Sequence, residues 1–272
     1  MLNTMLCSGS GRKIPHRASF GLAAATILLM LPCSQAWSDN AVEPDADTML
    51  RAMTTSLAGL KSFSFDYDVD DEIVNNTGQK IQFSASGSAT IARPGKLFIT
   101  RKGPYADAEI TFDGKAVSVY GKTLNVYAQI ASPGPTIDEA VEEVRMATGL
   151  DAAGADLLSA DPYAVLTSDV RAGSIVGEAY IAGIKCDHLA FRGEAVDWQI
   201  WIEQGERRLP MKYVITTKWV TGAPEYTVRF ANWNVAPQID ANMFQFTPPD
   251  GAKKIDSIVA DAIGDMSVEE VQ

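Results

Sequence analysis

Histidine and cysteine are scarce in this 272-residue chain, with two of the first and three of the second. Past residue 38 only His188 and Cys186 remain. Zinc sites draw several ligands from these two residue types, so one of each cannot supply a typical set. A single cysteine cannot close an intrachain disulfide either, and the domain must be held by its core. The sequence lacks a GxSxG nucleophile elbow, a phosphate-binding P-loop and an HExxH helix. Paired glycosidase carboxylates stay open, because distant acids converge only in the fold. Basic residues are also short, at 23 Lys and Arg against 34 Asp and Glu, a formal net charge of −11. No basic stripe overrides that balance. It argues against a nucleic-acid partner and against direct attraction to an anionic membrane surface.

Only one long hydrophobic run is present, residues 20–31 (FGLAAATILLML). It is shorter than the roughly 20 apolar residues that span a bilayer. Arg12, Lys13, His16 and Arg17 precede it, and a small-residue exit, PCSQAWS, follows at 32–38. Positive head, apolar middle and small-residue exit make a secretory signal peptide. Cleavage after Ser38 is preferred, with Ala36 as the alternative. Cys33 raises a lipoprotein anchor, but Pro32 directly before it obstructs that cut. The first 38 residues carry Arg12, Lys13 and Arg17 and no acid, so removing them leaves 20 basic residues against 34 acidic ones, a net charge of −14. The expected product is an exported periplasmic protein without a transmembrane anchor.

The mature chain is rich in period-two patterning. Residues 45–60 come first and read as a helix, with Met49, Leu50, Met53, Leu57 and Leu60 on one stripe. From Phe63 to Asp70 aromatics and acids then alternate, the mark of a half-buried strand. Asn75-Asn76-Thr77-Gly78 turns it into a partner strand carrying Ile81, Phe83, Ala85, Ala89 and Ile91. Strands follow at 96–101, 108–112, 115–120 and 125–130. Thr136 and Glu139 form a capping box for a helix that Gly149 can stop, and short helical pieces follow at 157–159 and 162–168. Strands resume at 170–182, 184–192, 196–204, 211–221 and 225–233. Short strands in sequential order predict an antiparallel meander. The expected class is α+β, mainly β, in a single domain over 45–255 with a helical insertion between two runs of one sheet and a tail at 256–272.

Three features bear on chemistry. Cys186 and His188 share a strand face about 6.5–7 Å apart, too far for proton transfer at about 2.6–3.2 Å. A Cys–His hydrolase is therefore the weakest of three functional readings. Asp66, Asp68 and Asp70 line a wet strand face without the glycine-punctuated loop of an EF-hand. Trp198-Gln199-Ile200-Trp201-Ile202, and much of Tyr213-Val214-Ile215 with Trp219-Val220, is apolar on both faces and needs two covers. Either both are ordinary core, or one face lines a cavity.

Several segments together resemble a known family: 49–69 (MLRAMTTSLAGLKSFSFDYDV), 78–83 (GQKIQF), 89–97 (ATIARPGKL), 125–129 (NVYAQ), 136–140 (TIDEA), 156–164 (DLLSADPYA), 186–192 (CDHLAFR), 196–205 (VDWQIWIEQG) and 244–252 (FQFTPPDGA). They look like a bacterial family of predicted periplasmic proteins of unknown function, domain of unknown function 2092. More distantly, the element order is similar to outer-membrane lipoprotein carriers of the LolA and LolB type, which end in a Phe-x-Phe strand. That resemblance implies an antiparallel unclosed half β-barrel, with helices packed over its concave face as a lid on a cavity for acyl chains. It implies no cofactor. The first functional reading is a carrier of an apolar ligand, a lipid or an acylated protein, with Phe63, Phe65, Phe83, Trp198 and Ile200 as candidate cavity lining. The second is an interaction or sensor module for an envelope protein partner.

Overall fold

The computed structural model describes residues 41–103, 107–148 and 154–256. The predicted signal peptide with both cleavage points and Cys33, the Gly149 stop and the tail beyond residue 256 lie outside these residues. Helix α1 (Pro44–Gly59) begins with proline in its first turn and has Asp45 and Asp47 there to meet the helix dipole. Its stripe of Ala46, Leu50, Met53 and Leu57 is wholly buried. Burying each of the three larger side chains stabilises the fold by about 1.5–3 kcal/mol relative to exposure.

The chain then runs directly into β1 (Ser62–Val74) and back through β2 (Lys80–Ala92), paired from Ser62↔Ala92 to Val74↔Lys80. The turn forms because the Asn75 side-chain carbonyl accepts from the Thr77 and Gln79 amides and from the Thr77 hydroxyl. Four further strands complete this half: β3 (Lys96–Lys102), β4 (Asp107–Phe112), β5 (Ala116–Gly121) and β6 (Val126–Ala131). Next come helix α2 (Ile137–Thr148), the 3-10 helix Ala155–Leu158 and helix α3 (Pro162–Thr167). The second meander is β7 (Ala172–Ile181), β8 (Ile184–Arg192), β9 (Val196–Glu203), β10 (Pro210–Thr217) and β11 (Glu225–Asn234). A short β12 (Lys253–Lys254) closes the described chain.

All twelve strands join one sheet in the order β12-β6-β5-β4-β3-β2-β1-β11-β10-β9-β8-β7. Two sequential meanders meet where β1 pairs antiparallel with β11. Only β12 runs parallel to its neighbour, β6. The antiparallel meander is the one that the sequence patterning predicts, and the sheet is an unclosed half-barrel with its helices on the concave face, as the resemblance implies. Because β6 and β7 stand near opposite ends of that order, the helical insertion between them crosses the concave face from one side to the other.

Three expectations shift. β10 stops at Thr217 rather than 221, because a turn with Gly222 at φ 86° and Ala223 at φ 44° lets the Thr217 amide bond the Pro224 carbonyl. Trp219, read as part of a strand apolar on both faces, therefore lies in the loop, 78% exposed, its indole N–H on the Glu194 carbonyl. Phe244 falls in a second 3-10 helix, Ala241–Phe244, capped by the Asp240 side chain, instead of in a Phe-x-Phe strand.

The double-faced strand β9 has an answer in packing. Trp198, Ile200 and Ile202 join the main core, which draws on α1 and both meanders. Trp201 joins a smaller cluster with Cys186, Met211 and Val214. The His188 ring stacks on Trp201 at 4.0 Å, and the Lys212 Nζ lies 4.5 Å from its centroid. Side chains from the two neighbouring strands thus provide the second cover, with cation–π attraction holding the lysine.

Candidate functional site

The concave face carries the main core, covered by α1, α2, α3 and the first 3-10 helix together with loop residues such as Leu209 and Val170. Phe63, Phe65, Trp198 and Ile200 are all buried in the main core there. Phe63 and Phe65 sit in one aromatic group, with Trp233 at 6.0 Å and 4.6 Å respectively and Phe230 5.3 Å from Phe65. Trp198 belongs to another, stacked on Phe191 at 4.1 Å with Tyr213 at 5.8 Å, and Ile200 pairs across the strands with Leu189 and Tyr213. Phe83 stands apart from both groups, half-buried on β2 and outside the main core.

Open space lies elsewhere, in a groove of about 200 Å³ lined by Ile137, Asp138, Val141, Arg145, Ser159 and Val165 among others. It follows the seam between α2 and the segment after it. Helix α2 is anchored at its first turn. Its capping box holds, with the Thr136 hydroxyl and amide donating to Glu139 and the Glu139 amide donating back to the hydroxyl. Ile137 and Ala140 in the first turns are buried, whereas Val141 and Val144 are half-buried and Met146 is 76% exposed. The sheet next to this helix offers Val117, Val119 and Ala128, all buried, with Ile99, Ile110 and Ile130 packed at the margin of the same core.

Arg93 sits beneath that seam. It follows Ala89 and Ile91 in the inward phase of β2, so its guanidinium turns to the concave face, 5.6 Å from the Phe63 ring centroid. Its Nη1 donates to the Leu158 carbonyl at 2.7 Å, tying the sheet to the 3-10 helix. Its Nε and Nη2 are buried and meet no hydrogen-bond acceptor among the described residues. Burial pulls the guanidinium pKa down from its ordinary value, opposed by the nearby Asp138. The Asp138 carboxylate itself takes the Ser159 hydroxyl at 2.6 Å and the Ala160 amide at 3.2 Å.

The Cys186 thiol is buried, and that burial raises its pKa. The thiol donates to the Ile184 carbonyl at 3.4 Å, while His188 bonds Gln199 at 2.9 Å. Neither contact joins the two into a nucleophile and its base. The acidic stripe of β1 is satisfied by neighbouring strands: Asp66 by Asn232 at 2.7 Å, Asp68 by Ser86 at 2.6 Å, and Asp70 by Ser84 at 2.5 Å and Arg229 at 2.6 Å. Among the described residues no group of three or more His, Cys, Asp or Glu is arranged to hold a metal ion, and no helix is long and apolar enough to cross a membrane.

Residues 46–258 match the model of a family described as predicted periplasmic protein, DUF2092. The chain belongs to that family. No curated protein matches it by sequence. Among solved structures, the DUF2092 chain is similar to an uncharacterized conserved protein from Thermus thermophilus, at 10% identity over 78% of this chain and 99% of that one, with a TM-score of 0.44. It is similar to the MucA/MucB complex structure from Pseudomonas aeruginosa at 15% identity, over 75% of this chain and 61% of the other, with a TM-score of 0.38. It is also similar to a LolA superfamily protein, NE2245 from Nitrosomonas europaea, at 10% identity over 74% and 97%, with a TM-score of 0.37.

Arg93 is the residue of this DUF2092 member that pattern reading passes over. The signal is present in the sequence: positions 85, 89 and 91 set the inward phase, and the next inward position, 93, is a cation.

Proposed function

We propose that this DUF2092 protein is a periplasmic binding protein for an apolar ligand, a lipid or the acyl chain of a lipidated protein, taken up on the concave face beneath α2. The observation that carries this reading is the graded burial of α2, which is capped and buried at its first turn. Its first turns are buried while its later half lies half-exposed next to apolar strands, a cover that opens by hinging at residues 132–136. Sites for small molecules run to about 300–1,000 Å³, and the present groove holds about 200 Å³, so uptake requires that opening. Val117, Val119 and Ala128 on β5 and β6 then form the floor beneath α2, and Phe63, Phe65, Trp198 and Ile200 continue the same core under α1, where an acyl chain reaches them only after the cover lifts. Native mass spectrometry of the protein purified from its own compartment tests the proposal. A co-purified lipid, or uptake of a fluorescent fatty-acyl probe by delipidated protein, is expected. Absence of both would sink it.

A second reading, docking of an envelope protein, is favoured by the β7 edge. Among the described residues the amino-terminal segment covers only the start of this strand, bridging it at Gly173 and accepting from the Ile175 amide through the Glu43 side chain, and no strand pairs beyond it. Val176 and Tyr180 on that edge are 56% and 68% exposed. An unpaired edge is a template for strand addition. A photo-crosslinking residue at Val176 that captures one stoichiometric partner in the envelope would support docking. Labelling no stronger than that of a crosslinker on the acidic face of β1 would count against it.

A further inference from the structure

Behind the groove along α2 lies one chemically specific group, the side chain of Arg93. The guanidinium is held on two sides, by the Phe63 ring at 5.6 Å and by the Leu158 carbonyl that accepts from Nη1 at 2.7 Å. What remains is the edge formed by Nε and Nη2, both buried and without an acceptor among the described residues. Those two N–H groups are parallel, and they are the pair with which a guanidinium grips both oxygens of a carboxylate or phosphate. Buried donors are ordinarily satisfied, and an idle pair on a buried cation is the exception that points to a ligand group.

The neighbouring acid does not fill this place. The Asp138 carboxylate is engaged by Ser159 and Ala160, and it makes no bond to the idle Nε and Nη2. Asp138 and Ser159 also line the groove, together with the apolar Ile137, Val141 and Val165. Arg93 lies behind that lining, tied to Leu158 immediately before Ser159, so a ligand seated in the groove meets the guanidinium once the cover lifts. The rim of the groove carries Asp138, Glu142 and Asp156 against Arg145. That acidic balance repels small free anions, and entry requires apolar contact to offset it. The chemistry that meets both conditions is an amphiphile with one anionic head and an acyl tail.

We propose that Arg93 binds the carboxylate or phosphate head group of the apolar ligand, gripping it through Nε and Nη2 while the acyl chain lies beneath α2. This assignment rests on the apolar-ligand reading above and names the class of ligand that the site selects.

Dodecanoate, dodecyl phosphate and dodecanol share one chain and differ only in the head, which separates the two parts of the argument. Each is titrated calorimetrically into delipidated full-length mature protein and into its Arg93→Met and Arg93→Lys variants. The wild type is expected to bind at least one anion about tenfold or more tighter than dodecanol, as a charge-assisted hydrogen-bonded pair implies. The tighter of the two anions identifies the carboxylate or the phosphate as the preferred head. In Arg93→Met the preference should vanish while dodecanol binds as before, which also shows that the variant is folded. Arg93→Lys keeps the charge without the fork and should lose most of the preference; it carries the comparison if the Met variant does not fold. Equal binding of all three by the wild type, or an anion preference that survives in both variants, overturns the head-group assignment and leaves the apolar-ligand reading standing. Failure of all three to bind the wild type overturns that reading and this assignment with it.

Discussion

Replacing Phe63 with alanine asks whether the concave face is a packed core or a ready-made pocket. The ring is wholly buried, lies 6.3 Å from Phe65 and 6.0 Å from Trp233, and carries the Arg93 guanidinium at 5.6 Å. Truncating a phenylalanine in such packing costs about 3–5 kcal/mol, the sum of lost transfer energy and the cavity left behind. The aromatic pairs account for about 0.5–1.5 kcal/mol each within that range. For a domain of this size each kcal/mol moves Tm by about 2–4 °C, so a fall of roughly 6–20 °C is expected. Urea unfolding followed by tryptophan fluorescence gives the free energy, and its m-value shows whether the two-state description holds. Phe83→Ala is the control, because that ring is half-buried and outside the core; its cost should be less than half as large. A loss below about 1.5 kcal/mol for Phe63→Ala, with m unchanged, would refute the packed-core description. The ring would then face open space ready to take an acyl chain.

Three further outcomes are expected. Gly87 on β2 has no room for a methyl group, since an added Cβ would stand 1.9 Å from the Thr100 carbonyl oxygen and 2.6 Å from the Tyr67 hydroxyl. Gly87→Ala should therefore cost about 1–3 kcal/mol by overpacking and bring the Tyr67 phenol, which burial pushes up to about 12, back toward 10 in an ultraviolet titration. Stability should fall at both ends of the pH scale. His188 is held below 6.5 by burial, so on acidification the unfolded chain takes its proton first and stability is lost as pH falls from 6.5 through the folded value. Asp47, lowered by the Tyr163 and Arg51 bonds, and Asp70, lowered by Ser84 and Arg229, add a second loss below 3.8. With its phenol raised, Tyr67 adds a loss as pH rises from 10 to about 12. Thermal melts across pH should show a plateau between these limits, and His188→Gln should flatten the limb just below 6.5; an unchanged limb would contradict the assignment. Thr136→Ala removes the α2 cap and should cost about 1 kcal/mol, seen as faster amide exchange confined to 137–148 and as easier entry of an acyl probe.

Much of the fold is legible because the local signals agree with the tertiary outcome. The phase of Phe63, Phe65 and Val69 on β1 matches that of Ala85, Ala89 and Ile91 on β2, and the Asn75 turn fixes the register between them. The Thr136–Glu139 spacing marks the start of α2 within one residue. What escapes is whatever depends on side chains from distant strands. Trp201 looks like a residue in want of a second layer, yet it is covered by His188 and Lys212, which the pairings of β8 and β10 with β9 bring to it. Trp219 carries strand-like neighbours, but the Gly222-Ala223 turn takes it out of the ladder. The site is less legible than the fold. Apolar alternation identifies Phe63, Phe65, Trp198 and Ile200 as inward-facing, but it carries no information on whether a helix or a ligand fills the space above them. The α1 stripe of Leu50, Met53 and Leu57 is what occupies that space here.

The order of strands explains why the cover is where it is. A meander can continue from β6 to its next neighbour with a short turn, but this chain must carry its path from β6 to β7, across the full width of the sheet. A segment making that crossing has to lie over a face, and the concave face is the apolar one. The crossing therefore supplies the helical cover without any addition to the sheet. It also leaves the cover attached at its ends and by a few specific ties, of which the bond from Arg93 to Leu158 is one and the bonds of Asp138 to Ser159 and Ala160 are another. Apolar packing under α2 is non-directional and re-forms around an acyl chain as readily as around Ile137 and Ala140. The directional ties are what a ligand must compete with. Of these ties, Arg93 is the one whose donor group has spare capacity, since its Nη1 holds the Leu158 carbonyl while Nε and Nη2 meet no acceptor among the described residues. A head group can therefore bind there without first releasing the Leu158 carbonyl, and the cover need open only far enough to admit a chain.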